Sequence, residues 1–194
     1  MNLFPNLADK NLILASASPR RQQLLNGLNI PFEVRVIPTD ESFPENLSAF
    51  EIPIHIAQLK SKVFESLLKD NEIIITADTV VWIEGEVLNK PSDRQEAIAM
   101  LTKLSGKMHQ VFTAVCISSS NNQCLFYDET RVYFKQLTLQ EIEFYIDNYK
   151  PYDKAGSYGA QDWIGLVAID RLEGSYFNVM GLPIHLVYEN LKEF

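Results

Sequence analysis

Three segments of this chain carry residue types at spacings that could do chemistry on a phosphate. The first is Ser16-Ala17-Ser18-Pro19-Arg20-Arg21. A serine N-cap with proline in the first helical position starts a helix, whose unpaired N–H groups and positive dipole end attract an anion. Two arginines there add planar bidentate donors for phosphate oxygens. Taken alone, the same six residues also describe an ordinary capped helix with two solvated arginines.

The second is Asp78, one carboxylate between Ile73-Ile74-Ile75 and Val80-Val81-Trp82-Ile83. A charge at the end of a buried strand is costly unless a metal, a cation or hydrogen bonds receive it. A turn or capping aspartate is the equal alternative. The third is Lys154-Ala155-Gly156-Ser157-Tyr158-Gly159-Ala160-Gln161, where glycines let backbone approach a ligand closely or simply make a structural turn.

Asp40-Glu41, Lys60, Lys62 and Lys90 form no pattern of their own, since charges mostly decorate surfaces; Lys90 is fixed in direction by Pro91. His55, His109 and His185 are far apart in sequence and lack metal-ligand spacing, which makes each a packing or surface residue. The chain has no GxSxG elbow, no Walker P-loop and no GxGxxG.

The elements that must hold these segments follow from periodicity. Asn11 to Ala15 reads as a strand, and Arg20 to Asn29 as a helix with Leu24, Leu25 and Leu28 on its apolar face. Phe32 to Ile37 reads as a strand and Thr39 to Ser48 as a loop; a long helix is expected from about Phe50 to Leu68. Glu72 to Ala77 and Thr79 to Val87 read as strand, turning at Glu84-Gly85. Ser92 as N-cap with Gln95 in the capping-box position opens a helix to about Leu104, ended by Ser105-Gly106. Thr138 and Glu141 repeat that signature for a helix to about Tyr149. Gln110 to Ile117 and Cys124 to Lys135 make two long strands, followed by a strand near Ile164 to Asp170 and a short helix after Pro183. This alternation means mixed α/β, without repeats or low-complexity tracts.

Composition narrows the function classes. With 194 residues and 46% hydrophobic content, one domain over 1–194 is the expectation, and two lobes around one cleft also fit. A net charge of −8 repels phosphate polymers and argues against nucleic acid or an anionic membrane as partner. No apolar run approaches a membrane span, and Met1 to Lys10 lacks an apolar signal core, so a cytoplasmic location is expected. Cys116 and Cys124 flank a polar turn and could face each other across a hairpin; in a reducing compartment free thiols are the commoner state.

Together the segments resemble the Maf (septum formation) family. The resemblance rests on Leu14 to Arg21, Ala77-Asp78-Thr79, Leu88-Asn89-Lys90-Pro91, Leu104-Ser105-Gly106 and Asp153 to Gln161, in order from about Asn11 to Leu191. It implies a mixed sheet with flanking helices forming two lobes around a central cleft, as in inosine-triphosphatase-like proteins. It also implies hydrolysis of a nucleoside triphosphate to the monophosphate and pyrophosphate. Arg20, Thr79 and Gln161 match the subgroup associated with dTTP and UTP, with CTP and modified pyrimidine nucleotides as further substrates.

On that resemblance, Asp78 is the general base and, with Glu41, holds Mg²⁺ or Mn²⁺. Ser16, Ser18, Arg21, Lys60 and Lys90 receive phosphate oxygens, and Arg20, Thr79 and Gln161 select the nucleotide. The Gln161 amide offers a donor and an acceptor that suit the edge of uracil or thymine and could be reoriented for cytosine. A homodimer is implied as well. One departure concerns the base side: family members often carry a further glycine after this glutamine, where this chain has Asp162-Trp163-Ile164-Gly165. Two rivals to the enzyme remain: a non-catalytic nucleotide-binding regulator of septum formation, and a scaffold whose basic residues are merely solvated.

Overall fold

The computed structural model describes residues 3–194; Met1 and Asn2, the start of the amino-terminal stretch read above for a signal core, lie outside the described residues. Among the described residues seven strands pair into one mixed sheet in the order β2 (Phe32–Val34), β1 (Asn11–Leu14), β3 (Glu72–Ile83), β5 (Met108–Ser118), β6 (Gln123–Phe134) and β7 (Ile169–Glu173), with β4 (Glu86–Leu88) on β3. By contacts the chain divides into two compact units: Met1–Asp78, Thr113–Asp128 and Gly181–Phe194 form one, Thr79–Phe112 and Glu129–Met180 the other. Strands β3 (Glu72–Ile83), β5 (Met108–Ser118) and β6 (Gln123–Phe134) each contribute residues to both.

In the first unit, β1 (Asn11–Leu14) runs parallel to β2 (Phe32–Val34) and to β3, in a register that sets Leu14 beside both Val34 and Ile75. Residues 73–75 are buried on both faces, which is why they are an unbroken isoleucine run instead of an alternating one. Helix α1 (Pro19–Asn26) follows β1, and α2 (Glu51–Lys62) precedes β3. Ile13, Ile74 and Phe64 make one apolar cluster, and Ala57, Ala114 and Cys116 another. The carboxy-terminal α7 (Ile184–Glu193) buries Val187 and Leu191. Cys116 and Cys124 are free thiols.

In the second unit, β4 (Glu86–Leu88) closes a hairpin on β3 through Glu84-Gly85, and β7 (Ile169–Glu173) runs antiparallel to β6. Helices α3 (Arg94–Leu104) and α4 (Leu139–Tyr149) pack on each other over a large core that includes Leu101, Leu104, Val132, Phe134 and Tyr145. The capping box of Thr138 and Glu141 is present at α4.

Four local expectations need correction. The N-cap of α3 is Asp93, one residue later than expected: its side chain accepts from the Glu96 N–H, and Glu96 accepts from the Ser92 N–H and hydroxyl. A carboxylate at the third helical position outcompetes the Gln95 amide for that role. Helix α2 ends at Lys62, and 63–68 continues as tight turns that bring Phe64 onto Ile13 and Ile74. Strand pairing of β2 stops at Val34, with one further bond from the Arg35 N–H to the Leu14 carbonyl. Residues 163–168 form a helix, α5 (Trp163–Ala168), so the strand expected from Ile164 begins only at Ile169. Ile164 and Ala168 are the buried positions of that helix, spaced four apart. A short helix α6 (Tyr176–Val179), capped by Ser175, was not expected at all.

Candidate functional site

The candidate residues fall into two sets, one in each unit, and the chain passes from one set to the other at the Asp78-Thr79 bond. In the first unit the parallel register of β1 and β3 sets Ser16, just past the carboxyl end of β1, near the level of Asp78 within β3, and open α/β sheets bind ligands beyond strand carboxyl ends. The Ala15 N–H donates to the Ile75 carbonyl at 2.9 Å, the last bond of the β1 segment, while β3 runs on unbroken through Asp78 to Ile83, so, against expectation, Asp78 does not interrupt the strand.

Ser18 is the N-cap of α1, with extended backbone and Pro19 next, as expected. Its side chain makes no capping bond; instead the Ser18 N–H donates to Ser16 Oγ at 3.3 Å. The hydroxyl of Ser16 and the helix amino terminus therefore form one local group. Arg21 turns back from the first turn of α1: its Nε donates to the Gly181 carbonyl at 2.7 Å and Nη1 to the Ala77 carbonyl at 2.8 Å. These two bonds hold the guanidinium beside Asp78, and burial together with the neighbouring Arg20 lowers its proton affinity while Asp78 and Glu41 raise it.

Asp78 is 9% exposed. Its Oδ1 accepts from Lys60 Nζ at 2.8 Å, and the same ammonium lies 2.9 Å from Glu41 Oε1. Glu41 reaches in from an exposed loop, while Lys60 comes from the last turn of α2. Two carboxylates thus converge on one cation. Burial pushes the Asp78 carboxyl above the usual aspartate range; Lys60 and Arg21 oppose the shift, and Glu41 adds to it. The arrangement is a buried carboxylate with heightened proton affinity, set between the Lys60 ammonium and the Arg21 guanidinium. Among the described residues no group of three or more His, Cys, Asp or Glu side chains is assembled for a metal.

In the second unit, Thr79 is partly buried at the midpoint of β3 and Lys90 is exposed. The Asn89 carbonyl accepts from the Gly156 N–H at 3.1 Å, so the Lys90 segment and the glycine loop are neighbours. Gly156 has φ +66, and a Cβ there would press on Val81, a double reason for glycine. Gln161 is exposed at the end of that loop.

Sequence reasoning missed what holds this loop from inside. Tyr145, fully buried on α4, accepts from the Gly159 N–H at 3.1 Å and donates to Asp162 Oδ2 at 2.8 Å. His109 on β5 meets the Tyr158 hydroxyl at 2.7 Å, with both rings and Phe134 packed edge to face. No local pattern marks Tyr145 or His109, because their partners lie 14 or more residues away. His55 and His185 bind no such network: they are partly buried and half exposed, and His185 lies 3.9 Å from Asp128.

Residues 11–194 match the family model described as Maf-like protein. The chain is 52% identical over 187 residues to a dTTP/UTP pyrophosphatase of Christiangramia forsetii, covering 96% of this chain and 95% of that one. It is 48% identical to a dTTP/UTP pyrophosphatase of Parabacteroides distasonis, over 99% and 100% of the two chains. Among solved structures, the Staphylococcus aureus Ham1 protein superposes with a TM-score of 0.54 at 16% identity, over 95% of this chain and 99% of that one. That likeness speaks for the fold, a mixed α/β sheet with flanking helices.

Proposed function

The chain belongs to the Maf family, and we propose from that premise that it is a nucleoside triphosphate pyrophosphatase, hydrolysing dTTP and UTP to the nucleoside monophosphate and pyrophosphate. CTP and modified pyrimidine nucleotides are further substrates in this proposal. The observation that carries the chemistry is the buried Asp78 carboxylate, held by Lys60 beside Glu41 and Arg21.

The reaction forms a bond from a water oxygen to the α-phosphorus and breaks the bond from that phosphorus to the bridging oxygen, so pyrophosphate leaves. Asp78 takes the proton of the attacking water, which its raised proton affinity suits. Ser16, Ser18, Arg21, Lys60 and Lys90 neutralise the phosphate oxygens, with the amino terminus of α1 adding backbone donors. Arg20, Thr79 and Gln161 select the nucleotide.

Asp78 and Glu41 fit a hard divalent cation of the kind that takes one or two protein carboxylates and fills its shell with water and substrate phosphate. Mg²⁺ or Mn²⁺ held there would offset phosphate charge and acidify a bound water. Both carboxylates already share a single cation, the Lys60 ammonium, which supports their serving as one donor pair.

No helix among the described residues is long and apolar enough to cross a membrane. The net charge of −8 supports action on small nucleotides and not on nucleic acid; a cytoplasmic location and a homodimer complete the proposal, the latter on the family resemblance alone. A regulator that merely bound nucleotide would gain nothing from a buried carboxylate beside a polyphosphate, and so is the weaker reading.

The test is product analysis with a panel of canonical and modified triphosphates and either metal, in ¹⁸O-labelled water. Pyrophosphate and a monophosphate carrying the label are expected. Orthophosphate and a diphosphate would refute attack at the α-phosphorus.

A further inference from the structure

The Lys60 ammonium stands between two carboxylates, 2.8 Å from Asp78 Oδ1 and 2.9 Å from Glu41 Oε1. Lys60 and Asp78 are mostly covered, whereas Glu41 is half exposed and reaches the ammonium from the solvent side. Asp40, next to Glu41, is engaged within its own loop: one of its oxygens accepts the Ser42 N–H and the other the Ser42 hydroxyl, each at 3.0 Å. The acidic groups that meet at Lys60 are therefore Asp78 and Glu41 alone.

The two cations beside Asp78 differ in how they are held. Two main-chain carbonyls, of Gly181 and Ala77, pin the Arg21 guanidinium from Nε and Nη1. Lys60 ends a flexible four-carbon stem on the last turn of α2, and its compact ammonium can turn its three donors to new acceptors. One positive charge is thus fixed and the other is free to swing. A hard divalent ion takes its oxygens at about 2.0–2.1 Å when it is Mg²⁺, so one held by Asp78 Oδ1 and Glu41 Oε1 would overlap the ammonium. Each carboxylate also has a second oxygen, and an ion bound through those would leave Lys60 where it is.

We propose that Lys60 is a resident cation in the place a divalent ion would take, so that Asp78 and Glu41 accept Mg²⁺ or Mn²⁺ only when a triphosphate arrives to receive the ammonium. Phosphate oxygens draw Lys60 off the carboxylates and complete an oxygen shell that two carboxylates alone leave short. Metal and nucleotide then bind as mutually dependent ligands, each raising the affinity for the other, and the free enzyme stays metal-poor. The inference rests on the reading in the preceding section that Asp78 and Glu41 hold the cation.

The experiment titrates Mn²⁺ into each protein and follows the electron paramagnetic resonance signal of the free ion, with a melting curve alongside. The titrations are run with and without a UTP analogue whose methylene bridge between the α and β phosphates prevents release of pyrophosphate. Wild type and Lys60→Arg are expected to take up Mn²⁺ only with the analogue. Lys60→Met and Lys60→Ala should bind Mn²⁺ alone at least about tenfold more tightly than the wild type, because a like charge has left contact distance in a mostly covered site. Mn²⁺ should also raise their melting temperatures and leave that of the wild type unmoved. Adding Glu41→Gln to Lys60→Met should abolish the gain.

A wild type that binds Mn²⁺ as tightly without the analogue as with it overturns the proposal. So do Lys60 variants that gain no Mn²⁺ affinity; if Glu41→Gln and Asp78→Asn then still weaken uptake in the presence of the analogue, the ion uses the other oxygens and the metal reading stands. If neither substitution alters that uptake, the metal reading falls and this inference with it. Should neither Lys60→Met nor Lys60→Ala fold, the wild-type titration decides alone.

Discussion

The Lys60 ammonium lies 2.8 Å from Oδ1 of Asp78, at the point where strand β3 leaves one compact unit for the other. Both side chains are mostly covered, 16% and 12% exposed, so neither charge is well served by water. Removing Lys60 would leave Asp78 facing Glu41 with its main compensating cation gone. Lys60→Met is therefore expected to cost about 3 kcal/mol of stability, as when one partner of a buried pair is deleted. It should also lower kcat/KM at least a hundredfold. A urea midpoint at constant m-value and steady-state kinetics on UTP check the two effects.

The raised proton affinity of Asp78 has a sign that kinetics can read. A general base works only when deprotonated, so activity falls as pH drops through its pKa. Burial sets that pKa above the ordinary aspartate value of about 3.9. The acid limb of kcat/KM, corrected for titration of the nucleotide's terminal phosphate, should lie above that value and follow one proton. A limb in the ordinary aspartate range would show that the buried carboxyl is not the base.

His109 supplies a stability prediction independent of catalysis. Burial lowers its pKa to about 3, against about 6.5 in an unfolded chain. Between those values the unfolded state binds a proton that the folded state does not, so stability is fully present above about pH 6.5 and is lost as pH falls toward 3. His109→Gln keeps a partner for the Tyr158 hydroxyl without a titrating group. Its melting temperature should depend less on pH in that window than the wild type's, measured in parallel from pH 7 to 4.5.

Gly165 is fixed by a close approach instead of by backbone torsion. A Cβ there would overlap the Ala160 carbonyl oxygen, and the carbonyl is main chain that cannot rotate away. Gly165→Ala should therefore displace the Gly159 to Gly165 turn, cost at least about 2 kcal/mol and weaken discrimination among bases. Gly85→Ala, at a hairpin turn with φ +87 and open space around it, should cost only about 1 kcal/mol of backbone strain and leave selectivity alone. Thermal melting and the UTP-to-CTP ratio of both variants check the contrast.

In the first unit the start of α1 was legible in the sequence because its signal is local. Ser18-Pro19 announces a helix start, which the structure has; the charge after three isoleucines does not end the strand, since β3 runs unbroken through Asp78 to Ile83 and the carboxylate sits inside it, paired with Lys60. Pairing of Asp78 with Lys60 and Glu41 was not readable from spacing, since it depends on a parallel strand register and a loop that returns over it. The base side was harder. Ile164 to Asp170 reads as a strand, yet Trp163 to Ala168 coil into a helix because Ile164 and Ala168 can then be buried together and Gly165 can touch Ala160. Tyr145 and His109 carry no local mark, being set by partners on other elements.

The most direct measurement compares wild type and Asp78→Asn for UTP binding and for pyrophosphate release with Mg²⁺ or Mn²⁺. Asp78→Asn is expected to stay folded, to bind UTP within about tenfold of the wild type, and to lose at least a thousandfold in kcat, as removal of a general base does. Release of pyrophosphate by Asp78→Asn at a rate near the wild type's would contradict the assignment of Asp78 as the base.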